Sequence, residues 1–177
     1  MNSNFDSYTW WHNNLRMCWI VLPVLAHIIS WLTGMGGIFF FPILITIAQY
    51  LIFKIHPAVA RPGLWFLTLP LTFFIWMKWG PFIDYLKPDG VLHGVMAYYA
   101  GQLVNALFIP LVAQKERPEF LLNWLICTSI TALSWLGAYW VAIHWLGIDE
   151  LHYGLFIMYP TIALLANWIS SFFLLEE

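Results

Sequence analysis

At 177 residues, 62% of them hydrophobic and 9% charged, the chain carries far fewer charges than the roughly 25% of an ordinary soluble domain. A soluble domain of this length leaves too much surface exposed to hide that much apolar material, so the composition calls for lipid as solvent, and the 19% aromatic residues, 12 of them Trp, suit membrane–water boundaries. The formal net charge of −2 excludes the basic footprint of a nucleic-acid-binding protein.

Residues 3–15 precede the first long apolar run. Ser3 and Asp6 have capping-box spacing, and Phe5, Tyr8, Trp11 and Leu15 fall on one helical face. The segment reads either as a short helix lying in the inner interface or as a frayed tail. Asp6 precedes the first cation, Arg16, and no small-residue cleavage site follows the apolar run, so that run is expected to be a retained span rather than a signal peptide.

The pattern predicts an all-α, polytopic membrane protein: one transmembrane domain over residues 1–177, a compact bundle of about six helices. The expected spans are 17–33, 37–53, 64–79, 91–113, 119–146 and 151–175. The first two are near the lower length limit for crossing a bilayer. They form either a hairpin about the Gly34–Gly37 turn or a partly re-entrant pair. Residues 54–63, with Pro57, Pro62, Lys54 and Arg61, read as the first clear loop, because proline and charge stop both neighbouring helices. Pro70 is expected to kink the third span. Lys87-Pro88-Asp89-Gly90 matches a type I turn, and the fifth span is long enough to tilt.

Cations set the orientation. With the N-terminus inside, Arg16, Lys54, Arg61, Lys115 and Arg117 lie inside, and Lys78 and Lys87 outside. This bias predicts a cell-membrane protein with both termini cytoplasmic. Cys18 and Cys127 sit in apolar runs at different expected depths, which predicts small buried hydrophobes rather than a disulfide.

No Asp, Glu, Lys or Arg falls in the middle of an expected span, which argues against an ion-coupled transporter built on an intramembrane carboxylate. The candidate ligand-binding residues are therefore uncharged: Gln102 and Asn105, three apart on one face of the fourth span, with Tyr98 beside them, Gln49 in the second and Asn167 in the sixth. Such amides either bond helix to helix or line a small apolar pocket. His27, near mid-span, is a candidate haem or pigment ligand or a packing residue. His93, His144 and His152 fall near the outer rim with Asp84, Asp89, Asp149 and Glu150, a donor set suited to zinc but without a spacing that fixes ligands on one face. Ala97 with Gly101, and Ala26 with Ser30, have small-xxx-small spacing for close helix approach. No GxSxG and no GxxxxGK[ST] occurs, so no motif argues for an enzyme and none names a cofactor.

Pro57, Pro62-Gly63 and Phe66, with Tyr99, Gln102, Asn105 and Pro110, are similar in layout to the tryptophan-rich sensory protein/translocator family. The likeness loosely covers residues 57–174 and rests on common residue types. It implies a small helical bundle that binds porphyrins or other apolar ligands. The chain departs from the family in lacking a Trp-x-Pro-Pro run, in six expected spans against five, and in a Gln-to-Asn spacing one residue short. The residues themselves lead to a non-enzymatic membrane subunit that acts by packing against other membrane proteins or a second copy of itself. A small apolar-ligand binder or passive carrier is the alternative, and a haem or metal protein the third reading.

Overall fold

A computed structural model describes residues 14–33, 37–79, 101–147 and 157–174. Among these residues the chain is all-helical, with six helices and no strand. They are α1 (Leu15–Leu32) and α2 (Gly37–Ile55), then α3 (Leu69–Trp79) and α4, described from Gly101 to Val112. After these come α5 (Glu119–His144) and α6 (Tyr159–Leu174). One stretch, Glu119–Ala142 in α5, is long and apolar enough to cross a membrane. Leu15–Ser30, Phe39–Ile55, Pro62–Ile75 and Gly101–Val112 are shorter apolar helices. The N-terminal segment, the Gly34–Gly36 reversal and the Lys87–Gly90 turn lie outside the described residues.

Two prolines shape the bundle in the same way. The sequence predicts a continuous helix kinked at Pro70. Instead Pro62–Thr68 is a 3₁₀-helix that becomes α-helical at Leu69. Pro70 has no N–H to donate to Phe66, and the Leu69 N–H donates to the Phe66 carbonyl instead, an i→i−3 bond that tightens the chain before the α-helix starts. Pro110 repeats the device. Ala106–Phe108 is 3₁₀, and the Ile109 N–H donates to the Ala106 carbonyl before the last α-turn.

α1 packs along both α2 and α6, and α6 along α5. The 3₁₀-helix and α3 lie against α2, and α4 touches the 3₁₀-helix and α5. Side chains close the first helix onto the last. The Trp19 indole donates to Ser170 Oγ at 2.9 Å. Arg16 Nε donates to Ser171 Oγ at 3.1 Å, with its guanidinium 3.9 Å from the Phe172 ring centre. The loops that follow α2 and α4 are clamped together. Ala60 and Arg61 donate backbone bonds to the Val112 carbonyl, Gln114 N–H donates to the Ala58 carbonyl, and Gln114 Nε2 donates to the Pro57 carbonyl at 2.7 Å.

The largest core cluster lies at this end. Trp124 of α5 meets Trp19, Phe53 and Trp65 edge to face, at 6.1, 5.1 and 5.1 Å between ring centres, and Phe53 reaches Phe120 at 5.7 Å. Leu15, Cys18, Ile52, Ile109, Val112 and Cys127 fill in around the rings. The start of α1 and of α5 and the ends of α2, α4 and α6 therefore meet at one end of the bundle. Arg16, Lys54, Arg61, Lys115 and Arg117 all sit there. Cys18 and Cys127 are both free and buried, and the Cys127 thiol points its hydrogen at the Ser170 carbonyl, 3.6 Å away.

Candidate polar site in the bundle

α2 is apolar on almost every side, so its one amide, Gln49, has to find partners inside the protein. It finds two. Gln49 Nε2 donates to Gln102 Oε1 of α4 at 2.9 Å. Gln49 Oε1 accepts from the Trp65 indole of the 3₁₀-helix at 3.0 Å. Gln49, Gln102 and Trp65 are all buried, so three elements meet on one side chain. One turn along α4 from Gln102, Asn105 Nδ2 donates to Thr72 Oγ1 of α3 at 2.8 Å. Asn105 Oδ1 is buried and has no partner. Turning the amide over would let Thr72 donate to the oxygen but would strand the nitrogen, so one end of Asn105 stays unpaired either way.

The candidate ligand residues thus fall into two groups. Gln49 and Gln102 bond to each other, and Asn105 bonds to α3. Asn167 of α6 is buried. It and Gln49 line a common cavity of ≈ 20 Å³ with Trp19, Pro23, Ile45, Ile52, Thr128 and Thr131. Tyr98 lies outside the described residues. Trp65 and Thr72 are the partners that the sequence reading missed. Trp65, Thr68 and Thr72, spaced by three and four residues, form a polar-tipped stripe on one helical face, and that spacing was the available signal.

His27 packs its ring between Phe41 and Trp135, 4.5 and 5.8 Å away between ring centres. Its Nδ1 is buried without a hydrogen-bond partner. His144 is exposed at the end of α5 against the Trp140 ring, and Gly147, at φ 60°, turns the chain away just beyond it. His93 and His152 lie outside the described residues. Among the described residues no three His, Cys, Asp or Glu side chains come together.

The chemistry on offer is hydrogen bonding between neutral groups. Nothing in the network is charged, and its hydroxyls already donate to backbone carbonyls, as Thr68 does to Trp65, or accept from Asn105. No family model, curated protein or solved structure matches the chain.

Proposed function

We propose that this chain is a multi-pass cell-membrane protein whose role is to pack, as a non-enzymatic subunit, against other membrane proteins. One observation carries the reading: the distribution of polarity is inverted. Gln49, Gln102, Asn105, Asn167, Thr46, Ser170 and Ser171 are buried, while long apolar stripes face outward. Met17, Val21, Leu25 and Ile29 run down α1 at one residue per turn, and Leu103, Leu107 and Leu111 do the same on α4. In water such stripes would be aggregation surfaces. In a bilayer they are ordinary lipid-facing or subunit-facing surface, and the buried Gln49 and Gln102 amides bond to each other, as a bilayer favours.

The packing role is preferred to the carrier role on size and on bonding. A pocket for a small organic ligand spans about 300–1,000 Å³, whereas the cavity beside Gln49 is ≈ 20 Å³. Two of the candidate amides are spent on each other. Extraction in mild detergent tests the proposal. The chain is expected to co-purify in stoichiometric amount with a second membrane protein or a further copy of itself. A monodisperse monomer free of partners sinks the packing role, and a bound porphyrin, carotenoid or quinone would favour the carrier.

Orientation is part of the proposal. The gathering of five cations at one end supports that end as the cytoplasmic face. Reporter fusions after Glu177 and within Lys115–Glu119 are expected to read as cytoplasmic, and those at Asp84–Gly90 as external. A cytoplasmic signal at Asp89 would overturn the six-span topology.

A further inference from the structure

We propose that the cavity between α1, α2, α5 and α6 is a built site for one bound water molecule, which joins Asn167 to the Gln49 network. This goes beyond the packing role and does not depend on it. All eight residues that line the cavity are buried, and its ≈ 20 Å³ exceeds the roughly 10–15 Å³ that one water needs.

The lining is polar in the way that a water requires. Asn167 is more than nine-tenths buried, and its side-chain amide makes no hydrogen bond among the described residues, the bond at that residue being Ser170 Oγ to the Asn167 backbone carbonyl. Gln49 has one amide hydrogen and one lone pair left after Gln102 and Trp65 are served. Thr128 and Thr131 donate their hydroxyl hydrogens backward, to the Trp124 and Cys127 carbonyls, so their oxygens keep acceptor capacity toward the cavity.

Pro23 adds a further acceptor. It stands inside α1 and has no N–H, so the carbonyl four residues earlier, that of Trp19, loses its ordinary helical donor. Trp19 and Pro23 both line the cavity. A shared water would serve the Asn167 amide and could reach the Trp19 carbonyl that Pro23 leaves without its helical donor. A water with two to four partners would connect α6 through Asn167 to α2, and through Gln49 to α4 and the 3₁₀-helix.

The full chain in lipid nanodiscs provides the test. A density map that shows ordered water is expected to place one peak within hydrogen-bond distance of Asn167 and Gln49, and an empty cavity overturns the proposal. A double-mutant cycle gives an independent reading. Gln49 and Asn167 share no direct bond but line one cavity, so coupling between Gln49→Leu and Asn167→Leu is required by a bridging water although a shared cavity alone can also produce it. The unfolding equilibrium constant of the double variant is expected to depart from the product of the single effects by about twofold or more, and strict independence overturns the bridge. Should Asn167→Leu fail to fold, Asn167→Ala, which adds no bulk, reads the same coupling. The unfolding midpoint is expected to be equal in sodium chloride and choline chloride. A sodium-dependent rise would replace the water with a bound cation and overturn the proposal as stated.

Discussion

Replacing Trp124 with Ala is expected to cost about 3–5 kcal/mol of stability, the range for deleting a large aromatic side chain from a packed interior. The ring is fully buried and holds three others around it, Trp19 from α1, Phe53 from α2 and Trp65 from the 3₁₀-helix. Removing it strips contacts from three elements at once, and rings held edge to face on separate helices cannot all collapse into the gap. In the proposed bilayer setting the lost term is packing rather than transfer from water, which keeps the prediction on cavity grounds. Trp124→Phe is expected to behave differently. Trp124 Nε1 is buried with no hydrogen-bond partner, so Phe removes an unsatisfied donor that itself costs about 1–3 kcal/mol while keeping one aromatic ring in place. Its loss should be clearly smaller than that of the Ala variant, because the cavity it leaves is smaller. Reversible unfolding in mixed micelles measures both. Equal losses for Ala and Phe would mean that the indole nitrogen has a partner and that the ring cluster is not what holds this end of the bundle.

The helix ends were legible where the sequence punctuates them. Pro57 and Pro62 bound a loop, Pro118 precedes α5, and Gly147 follows it, so expected and observed ends of α1, α2 and α5 differ by two residues or fewer. The side-by-side order of the helices was not legible. α2 and α5 are apolar on most sides, with only isolated polar residues, so no broad polar stripe marks which face turns outward. The closure of α1 onto α6 through Trp19 and Ser170 rests on contacts 151 residues apart, and no local pattern encodes them. Pro70 was visible as a disturbance but not as a kind of disturbance. Proline removes an i→i−4 donor, and the chain can answer with a kink or, as here, with a 3₁₀ turn. For the candidate site, the residue types were legible and the pairing was not. An amide in an apolar run has to be satisfied, which singles out Gln49, Gln102 and Asn105. Which partner each one takes depends on helix neighbours that periodicity leaves open.

Gln49→Leu is expected to be the most damaging exchange within the polar network, at about 2–4 kcal/mol. Gln49 makes two bonds with partners on different elements, Gln102 Oε1 at 2.9 Å and the Trp65 indole at 3.0 Å. Leucine leaves both partners buried and unserved, at about 1–3 kcal/mol each, and the lower half of that sum applies in the proposed bilayer setting, where interhelical bonds average nearer 1 kcal/mol. Gln102→Leu removes one partner of Gln49 and leaves the Trp65 bond in place, so its loss is expected to be about 1 kcal/mol. Asn105→Leu is milder again, since one end of that amide is already unpaired and leucine removes the unmet demand along with the bond to Thr72. The order Gln49, then Gln102, then Asn105 follows from the bonding pattern alone, because burial is nearly the same for all three. Unfolding free energies of the three single variants check it. Near-equal losses would show that Gln49 is not the hub. A different result would bear on function: folding intact in all three, with loss of a bound small molecule in each, would turn the network from a joint between helices into the wall of a ligand site.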